Sequence, residues 1–304
     1  MCETAVPEAK GAAAGCGESH GKCRTEQRPF PRGSLVVVGT PIGNLEDFSP
    51  RAAEALRQAD FIAAEDTRVT MKLLNHLGIH KPLVSYYEHN KREKGELLCA
   101  RMEAGETCAL VSDAGMPAIS DPGELLVAQC AEKGIPVTAV PGPSAVVTAL
   151  ALSGLPTGRF TFEGFLSVNK KSRREHLEEL KGERRTMVFY EAPHKLPATL
   201  RDLLAVLGDR RIALARELTK LHEEVIRTTL GQAAERFSFE APRGEFVLVV
   251  EGAKKPEENV FTLEKAAELA ARYQEEGLSL SDAAKKAASE TGFKKGEIYR
   301  LLTR

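Results

Sequence analysis

The stretch Leu35-Val36-Val37-Val38-Gly39-Thr40-Pro41-Ile42-Gly43-Asn44 decides how this 304-residue chain is read. A short β-branched run ends directly in a loop bearing glycine and proline, and an amphipathic stretch, Pro50 to Ala59, comes after it. A strand feeding a helix in this way is the repeating unit of a largely parallel sheet. The unit recurs. Strands are predicted over Leu35–Gly39, Phe61–Ala64, Leu83–Tyr86, Cys108–Ser112 and Val137–Val140, and further helices over Arg68–Leu77, Lys91–Ala104 and Pro122–Lys133.

A second block begins near Leu155, after a helix that starts beyond Pro143. Its predicted strands are Phe160–Phe165, Thr186–Glu191, Ile212–Glu217, Val225–Leu230 and Phe246–Val250, and only two helices stand out, Lys171–Leu180 and Pro193–Leu207. Short links between consecutive strands permit hairpins but not parallel crossovers, so a mixed sheet with antiparallel neighbours is expected. Beyond the polar linker Lys254–Asn259, three short helices are predicted. Thr262 caps the first and Gly277 ends it, Ser281 opens the second, and Gly292 with Phe293 turns into a third near Lys294. That is a helix-turn-helix pattern, or a small bundle with no nucleic-acid role. The expected organisation is a disordered extension over 1–33, α/β domains over 34–153 and 154–252, and a helical tail over 253–304.

Composition narrows the function classes. With 42% hydrophobic and 28% charged residues the chain reads as globular. Apolar runs such as Pro136 to Pro141 fall far short of the ~20 residues of a membrane helix, and residues 1–33 lack an export or import pattern, so a cytoplasmic location is expected. Cys99, Cys108 and Cys130 sit in apolar segments and read as reduced and structural. Cys16, His20 and Cys23 are three clustered candidate metal ligands in a Gly/Ala-rich tail; an extension that binds no metal is the preferred reading. A net charge of -1 argues against coating nucleic acid by bulk electrostatics, so any polyanion contact must be local. Asn169 to Arg185 holds seven Lys or Arg against four Glu, and Lys285 to Arg304 holds six against two.

Three loops come after first-block strands: Gly39 to Asn44, Ser112 to Gly123, and Pro141 to Ala145. In an open α/β sheet, ligands bind outside the carboxyl ends of strands, so these loops could converge on one pocket. Each alone could equally serve only to turn the chain. None is a G-x-G-x-x-G or P-loop cradle, which argues against a nucleoside triphosphate.

Six motifs then make the reading specific: Gly39 to Asn44, Ala64 to Arg68, Val111 to Gly115, Ile119 to Gly123, Val140 to Ala145, and Tyr190 to His194. In type and order they resemble the ribosomal RNA small subunit methyltransferase I family, a branch of the tetrapyrrole methylase-like enzymes, over Ser34 to Gly252 with a similar helical tail. The resemblance implies two α/β domains with S-adenosylmethionine (SAM) held in a cleft between them. It implies methylation of a cytidine 2′-hydroxyl in the decoding region of 16S ribosomal RNA, in a homodimer.

By the same resemblance Pro41, Ile42, the loop Asp113-Ala114-Gly115 with Met116 and Ile119, Ser144, Ala145 and Tyr190 line the cofactor, Asp113 holding one of its polar groups. Ala215 and Gly244 wall its adenine. Met116 stands where the family more often has Thr, so only an apolar wall is expected there. No metal is expected. Such a site works by positioning, with a base as an aid. Glu65, Asp66, His89 and Glu191 are the candidates; Glu65 and Arg68 are taken as substrate-facing, although carboxylates before a helix also favour its dipole. For RNA, Lys170, Lys171, Arg173 and Arg174 open a helix, where cations are unfavourable, and Lys285, Lys286, Lys294 and Lys295 cluster in the tail. A solvated helix face is the plainer reading of such runs. Two rival functions keep parts of this picture: a tetrapyrrole C-methyltransferase, and a non-catalytic nucleic-acid-binding ligand sensor.

Overall fold

The computed structural model describes residues 30–254 and 262–303. The candidate ligands Cys16, His20 and Cys23, most of the 254–259 linker, and Arg304 lie outside the described residues. The chain divides into two compact units, Met1–Ser144 and Ala145–Arg304.

In the first unit, strands β1 (Leu35–Val38), β2 (Phe61–Ala64), β3 (Leu83–Ser85), β4 (Cys108–Val111) and β5 (Val137–Val140) form one sheet in the order β3-β2-β4-β1-β5. Every pairing is parallel. The crossovers are α1 (Pro50–Gln58), α2 (Thr67–His76), α3 (Lys91–Glu103) and α4 (Gly123–Glu132). Alternate residues of each strand serve opposite faces. Leu35, Val37, Phe61 and Leu110 pack with Leu98, Met102 and Leu126, while Val36, Val38, Ile62 and Ala64 pack with Leu56 and Leu74. Both faces are therefore covered, as an all-parallel sheet requires. Cys99, Cys108 and Cys130 are buried free thiols, and burial pushes Cys108 up to about 12.

The second unit starts earlier than the sequence boundary at residue 153. Helix α5 (Ala145–Ser153) packs on strands of this unit, burying Val146, Ala149 and Leu150, so it belongs with the later strands rather than with β5. Those strands are β6 (Phe160–Phe165), β7 (Thr186–Glu191), β8 (Arg211–Arg216), β9 (Glu224–Thr229) and β10 (Phe246–Val250), in the order β6-β7-β10-β8-β9. The sheet is mixed. β6 and β7 run parallel across helix α6 (Lys170–Glu179), and the remaining pairs are antiparallel. α7 (Leu196–Leu207) links β7 to β8.

One helix escapes the sequence reading: α8 (Leu230–Phe239) lies between the last two strands, where no helix stood out. Thr229 caps it by accepting from Gln232 N, and Leu230, Ala233 and Phe237 form its buried stripe. The run Val225 to Leu230 masked that helix start because its β-branched residues do form β9.

The tail helices are α9 (Leu263–Glu275), α10 (Leu280–Thr291) and α11 (Lys295–Leu302). Thr262 caps α9 as expected, but α10 opens on Ser279 rather than Ser281, the Ser279 hydroxyl accepting from Asp282 N at 3.2 Å. Gly292, at φ 77°, makes the left-handed turn into α11. Ala266, Ala270, Ala284, Ala287 and Ile298 give the three helices a small core of their own. Among the described residues no helix is long and apolar enough to cross a membrane.

Candidate functional site

β2, β4, β1 and β5 are adjacent and parallel, so the loops at their carboxyl ends emerge side by side at one edge of the first unit. The backbone ties them together. Thr40 N donates to Gly115 O at 2.8 Å, Gly115 N returns a bond to Thr40 O, and the Thr40 hydroxyl lies 3.3 Å from the carbonyls of Ser112 and Gly115. On the other side, a Cβ placed on Gly39 would stand 2.7 Å from Gly142 Cα. Only two glycines permit that approach. Ile42 lies over Gly115, whose φ of 83° also favours glycine. The loops after β1, β4 and β5 therefore form one continuous crest.

Carboxylates gather on the crest. Asp66 caps α2, accepting from Arg68 N at 2.8 Å, and also grips the Arg68 side chain, with Nη2 2.6 Å from its Oδ2. The guanidinium holds Asp66 at about 2. The Asp66 backbone N–H in turn donates to Asp113 Oδ1 at 3.0 Å. Glu65 is pushed the other way: partial burial raises it, and the negative charges of Asp113, Asp121 and Asp66 raise it further. Asp113 is raised too, by burial first. Two carboxyl groups on this edge thus bind protons more tightly than usual, a common mark of a functional site.

Beside the crest lies a pocket of about 240 Å³ walled by Thr40, Pro41, Gly43 and Leu45 of the loop and by Val69, Thr70, Lys72 and Leu73 of α2, with Ser112 and Asp113 completing its lining. Sequence reasoning missed Leu45, Val69, Lys72 and Leu73. The available signal was weak: Val69 lies off the buried stripe of α2, and with Lys72 and Leu73 it makes an i, i+3, i+4 face.

The remaining expected residues are distributed between the two units. Ala114 and Ile119 are exposed on the crest, whereas Met116 packs inward against the core, its sulfur 3.3 Å from a would-be Gly39 Cβ. Ser144 ends the first unit and Ala145 opens the second. Within the second unit Tyr190 packs edge-to-face with Phe162 and at a tilt against Phe165, at 5.0 and 5.3 Å between ring centroids, and burial raises its phenol. Ala215 is buried on β8. Gly244, at φ 78°, leaves space that Glu217 occupies.

Other assignments need correction. Glu191 is buried and accepts from Thr199 Oγ1 and Ala192 N, so it cannot reach a substrate. Arg173 is largely buried and pairs with Asp202, tying α6 to α7. The basic start of α6 is stabilised by Asn169, whose side chain accepts from Lys171 N, and Lys171 and Arg174 are left exposed. In the tail, Lys285, Lys286, Lys294 and Lys295 are all exposed, and Lys286 lies 3.9 Å over the Tyr273 ring.

A doubly covered parallel sheet with a glycine-locked loop crest, then a mixed sheet, defines a transferase of the tetrapyrrole methylase class: residues 34–234 match the family described as tetrapyrrole (corrin/porphyrin) methylases. Cobalt precorrin-4 methyltransferase shares the fold at a TM-score of 0.55 and 17% identity, over 73% of this chain and 97% of that one. Diphthine synthase does so at 0.52 and 16%, over 71% and 89%. A protein of Synechocystis sp. named ribosomal RNA small subunit methyltransferase I is 47% identical over 270 residues, 88% of this chain and 97% of that one. A protein of the same name from Thermotoga maritima is 50% identical over 220 residues, 72% and 99%. The chain belongs to the ribosomal RNA small subunit methyltransferase I family.

Proposed function

We propose that this methyltransferase transfers the methyl group of SAM to the 2′-hydroxyl of a cytidine in the decoding region of 16S ribosomal RNA. The observation that carries the reading is the locked crest, whose motifs are those of the family and whose carboxylates gather with a single, already paired, guanidinium. SAM fits this crest chemically. Its sulfonium is a cation, Glu65 and Asp113 have no salt-bridge partner among the described residues, and the one close guanidinium is held by Asp66. When bound, SAM supplies an already activated methyl group.

The protein's part is positioning. Pro41, Ile42 and the loop from Asp113 to Met116, with Ile119 and Ser144, are assigned to the cofactor from the first unit; Ala145, Tyr190, Ala215 and Gly244 are the second unit's candidates. Glu65, whose carboxyl holds a proton above the ordinary range, accepts the ribose hydroxyl proton. Arg68, fixed by Asp66 but largely exposed, meets a flanking phosphate. Lys170, Lys171 and Arg174 on α6 and Lys285, Lys286, Lys294 and Lys295 in the tail are the proposed outer RNA contacts. A cytoplasmic homodimer is expected from the family resemblance.

The test is direct. Purified small subunits lacking the modification are incubated with methyl-labelled SAM, and the RNA is digested to nucleosides. Label in 2′-O-methylcytidine is the expected result. SAM binding without transfer would favour a ligand sensor, and label in a tetrapyrrole supplied in a parallel reaction would favour ring methylation.

A further inference from the structure

The pocket beside the crest is too small for a whole nucleoside cofactor, since pockets that enclose drug-sized ligands run from roughly 300 to 1,000 Å³ and this one holds about 240 Å³. It suits a single heterocycle. Its walls are aliphatic, with Pro41 and Leu45 from the loop facing Val69 and Leu73 from α2. Leu45 and Val69 are 47% and 39% exposed, so this apolar slot faces solvent.

Its polar groups are few and distinct. The Thr40 and Thr70 hydroxyls are engaged with backbone carbonyls, those of Ser112 and Gly115 for Thr40 and that of Asp66 for Thr70. Two groups are left to read a ligand. Asp113 uses Oδ1 for the Asp66 N–H, while among the described residues Oδ2 accepts no hydrogen bond. Lys72 makes no salt bridge among the described residues. One acceptor and one cationic donor thus border a slot of base size, next to the loop assigned to the methyl donor.

We infer that this pocket receives the base of the target nucleotide, turned out of its RNA strand, and that the free Asp113 oxygen and Lys72 read it as cytosine, which leaves Asp113 to meet the methyl donor through its backbone. The inference rests on the RNA methyltransferase reading above and names the subsite that selects its substrate. Enzymes that act on one nucleotide extrude it and read its Watson–Crick edge inside a pocket. Cytosine offers a 4-amino donor to the free Asp113 oxygen and acceptors at O2 and N3 to Lys72; uracil presents a carbonyl to Asp113 instead. Holding the base fixes the attached ribose, so its hydroxyl is presented by recognition rather than by chance.

The experiment uses the full chain, labelled SAM and unmodified small subunits carrying cytidine or uridine at the methylated position. Val69→Phe fills the pocket from α2; Leu45→Phe fills it from the loop at an exposed position, in case the first variant is misfolded. Each should lower turnover by about 100-fold, with SAM affinity by calorimetry within about twofold of wild type. Wild type should prefer cytidine over uridine by roughly 10-fold or more, and Asp113→Asn should collapse that preference. Either filled variant turning over within about threefold of wild type would overturn the inference, as would a preference that survives in Asp113→Asn. If the wild-type chain places no label in small-subunit RNA, the reading of the function itself fails first.

Discussion

Glu65 and Asp113 on the crest of the first unit and the ion-paired carboxylates of the second live under opposite conditions. In the second unit they are matched with cations: Arg185 holds Glu183 at about 2, Lys220 lowers Glu217, Arg236 lowers Glu240 and Arg211 lowers Glu251. On the crest of the first unit, Glu65 and Asp113 are raised by burial and by neighbouring carboxylates, and the nearby guanidinium is spent on Asp66. Pairing of the first kind serves the fold. Charge left unmatched on a rigid edge is costly to the fold, and the proposed cationic cofactor would offset that cost.

Opening the crest should break this contrast most severely. Gly39→Val drives a side chain into the Gly142 backbone and should cost about 3 kcal/mol together with SAM binding; melting curves and calorimetry would show both. Gly182→Ala, in the second unit, meets no atom within 4 Å and should change neither. Asp66→Ala comes next. It removes a helix cap, worth about 1 kcal/mol, and frees Arg68 beside Glu65 and Asp113, making the crest resemble the second unit. SAM affinity should fall by calorimetry. An unchanged value would mean that the unmatched charge is irrelevant to the cofactor.

A smaller effect separates Glu65 on the crest from Glu251 in the second unit by sign. Glu65 binds its proton more tightly in the folded chain than in the unfolded one, so its penalty is present above its folded value and vanishes below the ordinary carboxylate range. Glu65→Gln should therefore raise the melting temperature at neutral pH, by about 2 °C, and leave it unchanged in acid. Glu251 is lowered, so it stabilises above its ordinary value and loses that contribution as pH falls through its folded value. Glu251→Gln should lower the melting temperature at neutral pH by a similar amount, and the difference should shrink in acid. The smallest effect concerns RNA. Lys171→Ala should reduce the salt slope of binding by roughly 0.7 to 0.9, whereas Arg173→Ala should leave the slope alone and lower stability, because its partner is Asp202.

The first unit was almost wholly legible in the sequence. Its strands are continuous β-branched or apolar runs, its loops are marked by Gly and Pro, and the carboxyl-end rule places those loops together without reference to any contact. The second unit was less so. Helix α8 comes straight after its strand with no glycine or proline between, and α5 was assigned by its position after Pro143 rather than by the surface it covers. At the site, residue types were visible but their partners were not. Glu65, Asp66 and Arg68 stand within four positions, and nothing in that order reveals that Asp66 takes the guanidinium and leaves Glu65 to its acidic neighbours. Arg173 and Lys171 read alike as basic residues, yet one is buried against α7. The pocket was hidden because its walls come from two segments about 25 residues apart, a loop before α1 and a face of α2 that reads as an ordinary helix surface.

The place of β10 bears on how the chain is made. This strand, Phe246–Val250, is the last of the α/β body in sequence, yet it lies in the middle of its sheet, bonded to β7 on one side and β8 on the other. The first sheet, by contrast, is complete once residue 140 has been synthesised. During translation the amino-terminal unit can therefore close while the ribosome is still extending the chain, but β7 and β8 must wait with open edges for a strand that emerges tens of residues later. Open edges of this kind invite pairing with other chains. A nascent chain stalled before Phe246 would thus carry a finished half and an adhesive one, so the last strand governs when the second half is safe to release.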